Sequence, residues 1–124
     1  MIDHKNMRRV VIESPFSGKT PKIEQENIRY ARLCVHDCLA RGEAPYASHL
    51  FFTQPDVLDD DVPKERELGI AAGFAWGETA ELVAVYTDRG ISKGMEYGIE
   101  RARKAGQTIE NRTLPGYLSR CPVE

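Results

Sequence analysis

The apolar positions follow two rhythms. Short β-branched runs, Arg9-Val10-Val11-Ile12-Glu13 and Leu82-Val83-Ala84-Val85-Tyr86, read as strands. Between them Ile28, Ala31, Val35 and Cys38 recur at three and four, which predicts a helix over 22–40, closed by Arg41-Gly42. The preceding loop, 14–20, is rich in turn formers, and Pro21 suits a helix start. Part of 43–54 is expected to be a second strand running into a loop. The acidic turn 59–63 precedes a second helical pattern over 64–77, with Leu68, Ala71 and Ala72 as its packing face. Gly69, Gly73 and Gly77 weaken that helix in isolation and let a strand or partner helix approach closely. A third strand over 82–87, a third helix over 92–104 and a last short strand over 108–110 complete the pattern, with tails at 1–7 and 111–124.

Strand and helix alternate throughout. That order predicts a parallel sheet with helices on both faces and right-handed crossovers, an α/β three-layer sandwich. Ligands in such sheets sit outside the carboxyl ends of the strands. The loops 14–20, 49–55 and 88–94 are expected to meet there.

Composition narrows the classes. A chain of 124 residues, 41% hydrophobic and 29% charged, suits one globular domain. A net charge of -2 argues against a partner that is polymeric nucleic acid. No apolar run approaches the roughly 20 residues needed to span a bilayer, and no apolar stretch follows the N-terminal charges, so neither membrane insertion nor a signal peptide is expected. Three cysteines, Cys34, Cys38 and Cys121, fit a reducing cytoplasm. Cys34 and Cys38 read as small buried apolar residues, since nothing nearby completes a metal site.

The loops carry the candidate chemistry. Ser92-Lys93-Gly94 opens a helix, where free N–H groups and the dipole favour an anion. Ser14, Ser17, Gly18 and Lys19 suit a phosphate or sugar, although the Walker spacing is absent. Glu96 is harder to read. With Ser92 as N-cap, the capping-box position is Met95, one residue earlier. Glu96 is then either a solvated first-turn acid or a carboxylate aimed at a ligand, able to attack a sugar's anomeric carbon. His49 reads either as a substrate contact and proton donor or as a structural histidine. Arg66 reads as part of a surface charge network rather than a phosphate contact, and Asp59, Asp60 and Asp61 as a solvated turn without EF-hand spacing. Phe51, Phe52 and Trp76 read as core or dimer contacts.

Two segments, Val10-Val11-Ile12-Glu13-Ser14-Pro15-Phe16-Ser17 and Ile91-Ser92-Lys93-Gly94-Met95-Glu96-Tyr97-Gly98-Ile99-Glu100-Arg101-Ala102, resemble the nucleoside 2-deoxyribosyltransferase superfamily. Its relatives include nucleoside 5′-monophosphate N-glycosidases and small, often phage-encoded domains. The likeness covers roughly residues 9 to 110. It implies a flavodoxin-like or Rossmann-like sandwich that forms homodimers or higher homo-oligomers and needs no cofactor or metal. It also implies hydrolysis or transfer at the N-glycosidic bond of a nucleoside or nucleoside 5′-monophosphate. A nucleotide-binding protein without turnover is the alternative. Glu96 takes the place of the family's nucleophile. Ser92 and Gly94 fall in the loop that meets the sugar or its 5′ substituent. Ser14, Pro15, Phe16 and Ser17 fall in the loop that lines base and ribose. Deoxyribosyltransferases carry an aspartate six residues before the nucleophile; here that position is Gly90, with Asp88 the nearest acid. A first-strand tyrosine seen in some members is also absent, so the group that assists the leaving base has no assignment.

Overall fold

The computed structural model of the chain describes residues 1–117; the remaining tail, with Cys121, lies outside the described residues. Four strands, β1 (Arg9–Glu13), β2 (Ala44–Tyr46), β3 (Leu82–Tyr86) and β4 (Thr108–Arg112), form one parallel sheet in the order β2-β1-β3-β4. The helices are α1 (Pro21–Ala40), a short α2 (Ser48–Phe51), α3 (Pro63–Gly77) and α4 (Lys93–Lys104). The helix signals act as expected. Thr20 caps α1 by accepting from the Ile23 N–H at 3.2 Å, Pro21 is its first residue, and Gly42 leaves it at φ 79°.

The pleat sorts the strand residues onto two faces. Val10, Ile12, Leu82, Ala84 and Tyr86 pack with Tyr30, Cys34 and Cys38 of α1. Val11, Val83 and Val85 pack with Met95 and Ala102 of α4. Helix α3 lies on the α4 side, where the Phe74 and Tyr97 rings stack with centroids 5.5 Å apart. The result is the expected three-layer α/β sandwich. No helix among the described residues is long and apolar enough to cross a membrane.

Some expectations change. The second strand is only three residues long, and 48–51 turn into α2 instead of continuing it. Residues 4–6 form a 3-10 turn capped by Asp3. Residues 111–117 are not a surface tail: Asn111 and Arg112 extend β4, while Leu114 and Tyr117 are buried against α1. Asp88 anchors this segment. It accepts from the Tyr30 hydroxyl at 2.6 Å and from the Leu114 N–H at 3.0 Å. Asp88→Ala would orphan both donors, so it is expected to cost about 1–3 kcal/mol, read by urea denaturation.

The glycines of α3 serve contacts within the chain. A Cβ on Gly73 would meet Ser48 of α2 at 2.7 Å, and one on Gly77 would meet Val11 of β1 at 3.4 Å. The packing face expected of Leu68, Ala71 and Ala72 does not form: Leu68 and Ala71 are exposed, as is Trp76, and the helix is buried at Gly73 and Gly77.

Candidate active site

Strands β1 and β3 are neighbours, but the chain leaves their carboxyl ends toward opposite faces, α1 on one and α4 on the other. Such a switch point opens a crevice at the sheet edge. A cavity of about 810 Å³ lies there, bounded by the β1–α1 loop, α2, α3 and the start of α4. Phe16, Phe52, Phe74 and Tyr97 give it aromatic walls. Lys19, Arg66 and Lys93 bring cations, while Asp60 and Glu65 bring acids on the α3 side. Arg66 pairs with Asp60 at 3.1 Å, and the 59–61 turn is held by the Asp61 N–H donating to Asp59 at 3.0 Å. No group of three or more metal-ligating side chains gathers among the described residues.

The amino end of α4 is built by Ser92. Its hydroxyl accepts from the Met95 N–H at 3.2 Å, and the Ser92 N–H reaches the Met95 sulfur at 3.4 Å. A thioether thus occupies the capping-box position usually given to an acid. Ser92, Lys93 and Gly94 all line the cavity.

At the end of β1 stands Glu13. Pleat alternation turns it to the α4 side, onto the backbone of Gly98. A Cβ at Gly98 would lie 2.8 Å from a Glu13 carboxylate oxygen, so only glycine leaves this seat open. Burial pushes the Glu13 carboxyl up to about 8, opposed by the positive charge of Arg101. Glu13 is therefore mostly protonated at neutral pH. Beside it Ser14 Oγ and His49 Nε2 share a hydrogen bond of 2.7 Å. Burial brings His49 down to about 4, so its ring is neutral there.

Of the residues singled out from the sequence, Ser14, Phe16, Ser17, His49, Ser92 and Gly94 are brought together in this cavity. Pro15 is buried, and Asp88 is engaged with Tyr30 and Leu114. Neither is in its wall. Glu96 is exposed and also outside the wall. The helical period explains this. Gly94, Tyr97 and Gly98 share the face of α4 that borders the cavity, while Glu96 lies on another face, open to solvent. Glu13 has no place among the residues singled out from the sequence. The signal for it was an acid closing an otherwise apolar strand, in register with Val85 of β3.

The model of a family described as "Domain of unknown function (DUF7768)" matches residues 8–112. No curated protein matches the sequence. Among solved structures, a 2-deoxyribosyltransferase from the psychrotolerant bacterium Bacillus psychrosaccharolyticus is similar, with a TM-score of 0.60 and 12% identity over 85% of this chain and 72% of that chain. At that identity the likeness shows the fold.

Proposed function

The chain belongs to the DUF7768 family, and we propose that it is an enzyme that cleaves the N-glycosidic bond of a nucleoside or nucleoside 5′-monophosphate. The observation that carries this reading is Glu13, a carboxyl kept protonated near neutral pH at the switch-point cavity. Cleaving a glycosidic bond to a base needs a proton for the departing nitrogen, and an acid whose pKa lies near the working pH supplies it best. The fold shared with a 2-deoxyribosyltransferase supports a nucleoside as ligand. The aromatic walls suit a base, and Lys93 with the free N–H groups of α4 suits a 5′-phosphate.

In this mechanism the C1′–N bond breaks as Glu13 gives its proton to the base. Water adds to C1′, and the proton it releases returns to the Glu13 carboxylate. A second base in place of water turns hydrolysis into transfer. Ser14 and His49 orient a sugar hydroxyl through their shared hydrogen bond. Glu13 thereby takes the carboxyl chemistry that the family resemblance gave to Glu96, in the role of acid rather than nucleophile.

Incubation with a panel of nucleosides and 5′-monophosphates, read as free base by liquid chromatography, tests the proposal. Lys93→Gln is expected to raise KM for monophosphates about tenfold and to spare unphosphorylated nucleosides, the loss of one charge-assisted phosphate contact. Gly98→Ala is expected to keep stability within about 1 kcal/mol, because only a flexible side-chain end must move and alanine favours the helix. By turning Glu13 out of its seat it is expected to slow base release about tenfold or more. A second reading, nucleotide binding without turnover, is favoured by the place of Glu96 outside the cavity. It predicts affinity with no free base.

We also propose a homodimer through the outward strip of α3, where Leu68 and Trp76 are exposed. A monomer at micromolar concentration by sedimentation overturns it.

A further inference from the structure

We infer that Arg101 is a positioning residue for Glu13, a buried guanidinium with two unused donors that receives the carboxylate when Glu13 gives up its proton. This deepens the proposed function, because it concerns the group given the acid's role there.

Arg101 follows Gly98 by three residues, so it lies one helical turn further along the same face of α4. Its guanidinium carbon sits 5.1 Å above the Phe74 ring, and one terminal nitrogen is 3.6 Å from where a Gly77 Cβ would stand. Both the Nε–H and the Nη1 group are buried without a hydrogen-bond partner among the described residues. A buried guanidinium with unmet donors is costly. Stacking on Phe74 offsets part of that cost and fixes the plane of the fork. The Glu13 carboxyl likewise has no hydrogen bond among the described residues, and it rests on Gly98 at the near end of the same turn.

Other charged or titratable groups surround the cavity. They are Lys19 ahead of α1, His49 on α2, Asp60, Glu65 and Arg66 around the start of α3, and Lys93 and Tyr97 on α4, while Tyr46 of β2 packs on the same side of the sheet as α4. Arg101 is the one whose charge acts on Glu13. In this structure neither Nε nor Nη1 of Arg101 bonds the Glu13 carboxyl. Once the proton has gone to a leaving group, rotation about the Glu13 side chain brings the carboxylate to the waiting N–H groups. The acid is thereby held at the edge of the cavity until water returns the proton.

The test is a side-chain NMR titration of the free protein. In the wild type, the Glu13 carboxyl carbon and the Arg101 Nε–H resonance are expected to move together with one midpoint, and the Arg101 movement to vanish in Glu13→Gln. In Arg101→Met, the Glu13 midpoint is expected to rise by about one pH unit or more, and in Arg101→Lys to stay near the wild-type value. An Arg101 Nε–H resonance that ignores the Glu13 titration overturns the inference, as does an unchanged midpoint in folded Arg101→Met. The wild-type reading needs no substitution to fold. Neither reading uses turnover, so a protein that releases no base yet couples these two resonances would sink the enzymatic proposal alone.

Discussion

Glu13→Gln is expected to lower base release by about 10²- to 10⁴-fold, the usual worth of a positioned general acid, while the protein stays folded. Glutamine matches the shape and neutrality of the protonated acid, so the seat against Gly98 is still filled. What it lacks is a proton that can leave. The wild-type rate is expected to fall as pH rises through about 8, where Glu13 loses its proton. Stability follows the same sign. Glu13 is raised from 4.5 to about 8, so the folded state holds this proton more tightly than the unfolded chain. Its contribution is full below about 4.5 and is lost as pH rises to about 8. Glu13→Gln removes that slope. Initial rates and urea midpoints on both sides of pH 8 check the two effects on one pair of proteins.

Arg112→Met is expected to destabilise the fold by about 3–5 kcal/mol, as expected when one partner of a buried ion pair is removed. Arg112 and Glu43 have side chains only 2% and 7% exposed. The fork donates from both terminal nitrogens to both Glu43 oxygens at 2.7 Å. Without it, the ion-pair partner left to Glu43 among the described residues is Arg8 at 2.9 Å, a side chain that is 51% exposed. The same fork ties β4 to the end of α1 and to the Tyr86 hydroxyl, 3.3 Å away. Replacing both partners, as Arg112→Met with Glu43→Leu, is expected to recover much of the loss, because no charge is then stranded. The hydrogen bonds from Arg112 bring Glu43 from 4.5 down to about 2. Its stabilisation is therefore complete above about 4.5 and is lost as pH falls toward 2. Urea denaturation at neutral and acid pH should find the acid loss in the wild type and a smaller one in Arg112→Met.

How far the sequence could be read depended on whether a signal was local. Residues 10–12 of β1 and the whole of β3 are apolar because both faces are covered, and they were legible at once. Ser92 and Pro21 announced their helices because caps act over three residues. Leu114 and Tyr117 looked like tail residues, since no periodicity follows β4. Their burial depends on α1, more than 70 residues away in the chain, and on Asp88. The glycines of α3 were legible as sites of close approach, but not what approaches, which proved to be Ser48 and Val11. The carboxyl was hardest. Motif spacing drew attention to Glu96, yet one residue along a helix turns a side chain by about 100°, and Glu96 meets solvent. Glu13 needed two facts together, the pleat that turns it toward α4 and the bare backbone of Gly98 that receives it.

The proposed N-glycosidic chemistry depends on the Glu13 carboxyl in this cavity. The most direct test is free base measured by liquid chromatography from the wild type, Glu13→Gln and Glu96→Gln, incubated side by side with the same nucleosides and 5′-monophosphates. Base is expected from the wild type and from Glu96→Gln, and almost none from Glu13→Gln. Base from the wild type and from Glu13→Gln but not from Glu96→Gln, or no base from any of the three, would contradict the proposal.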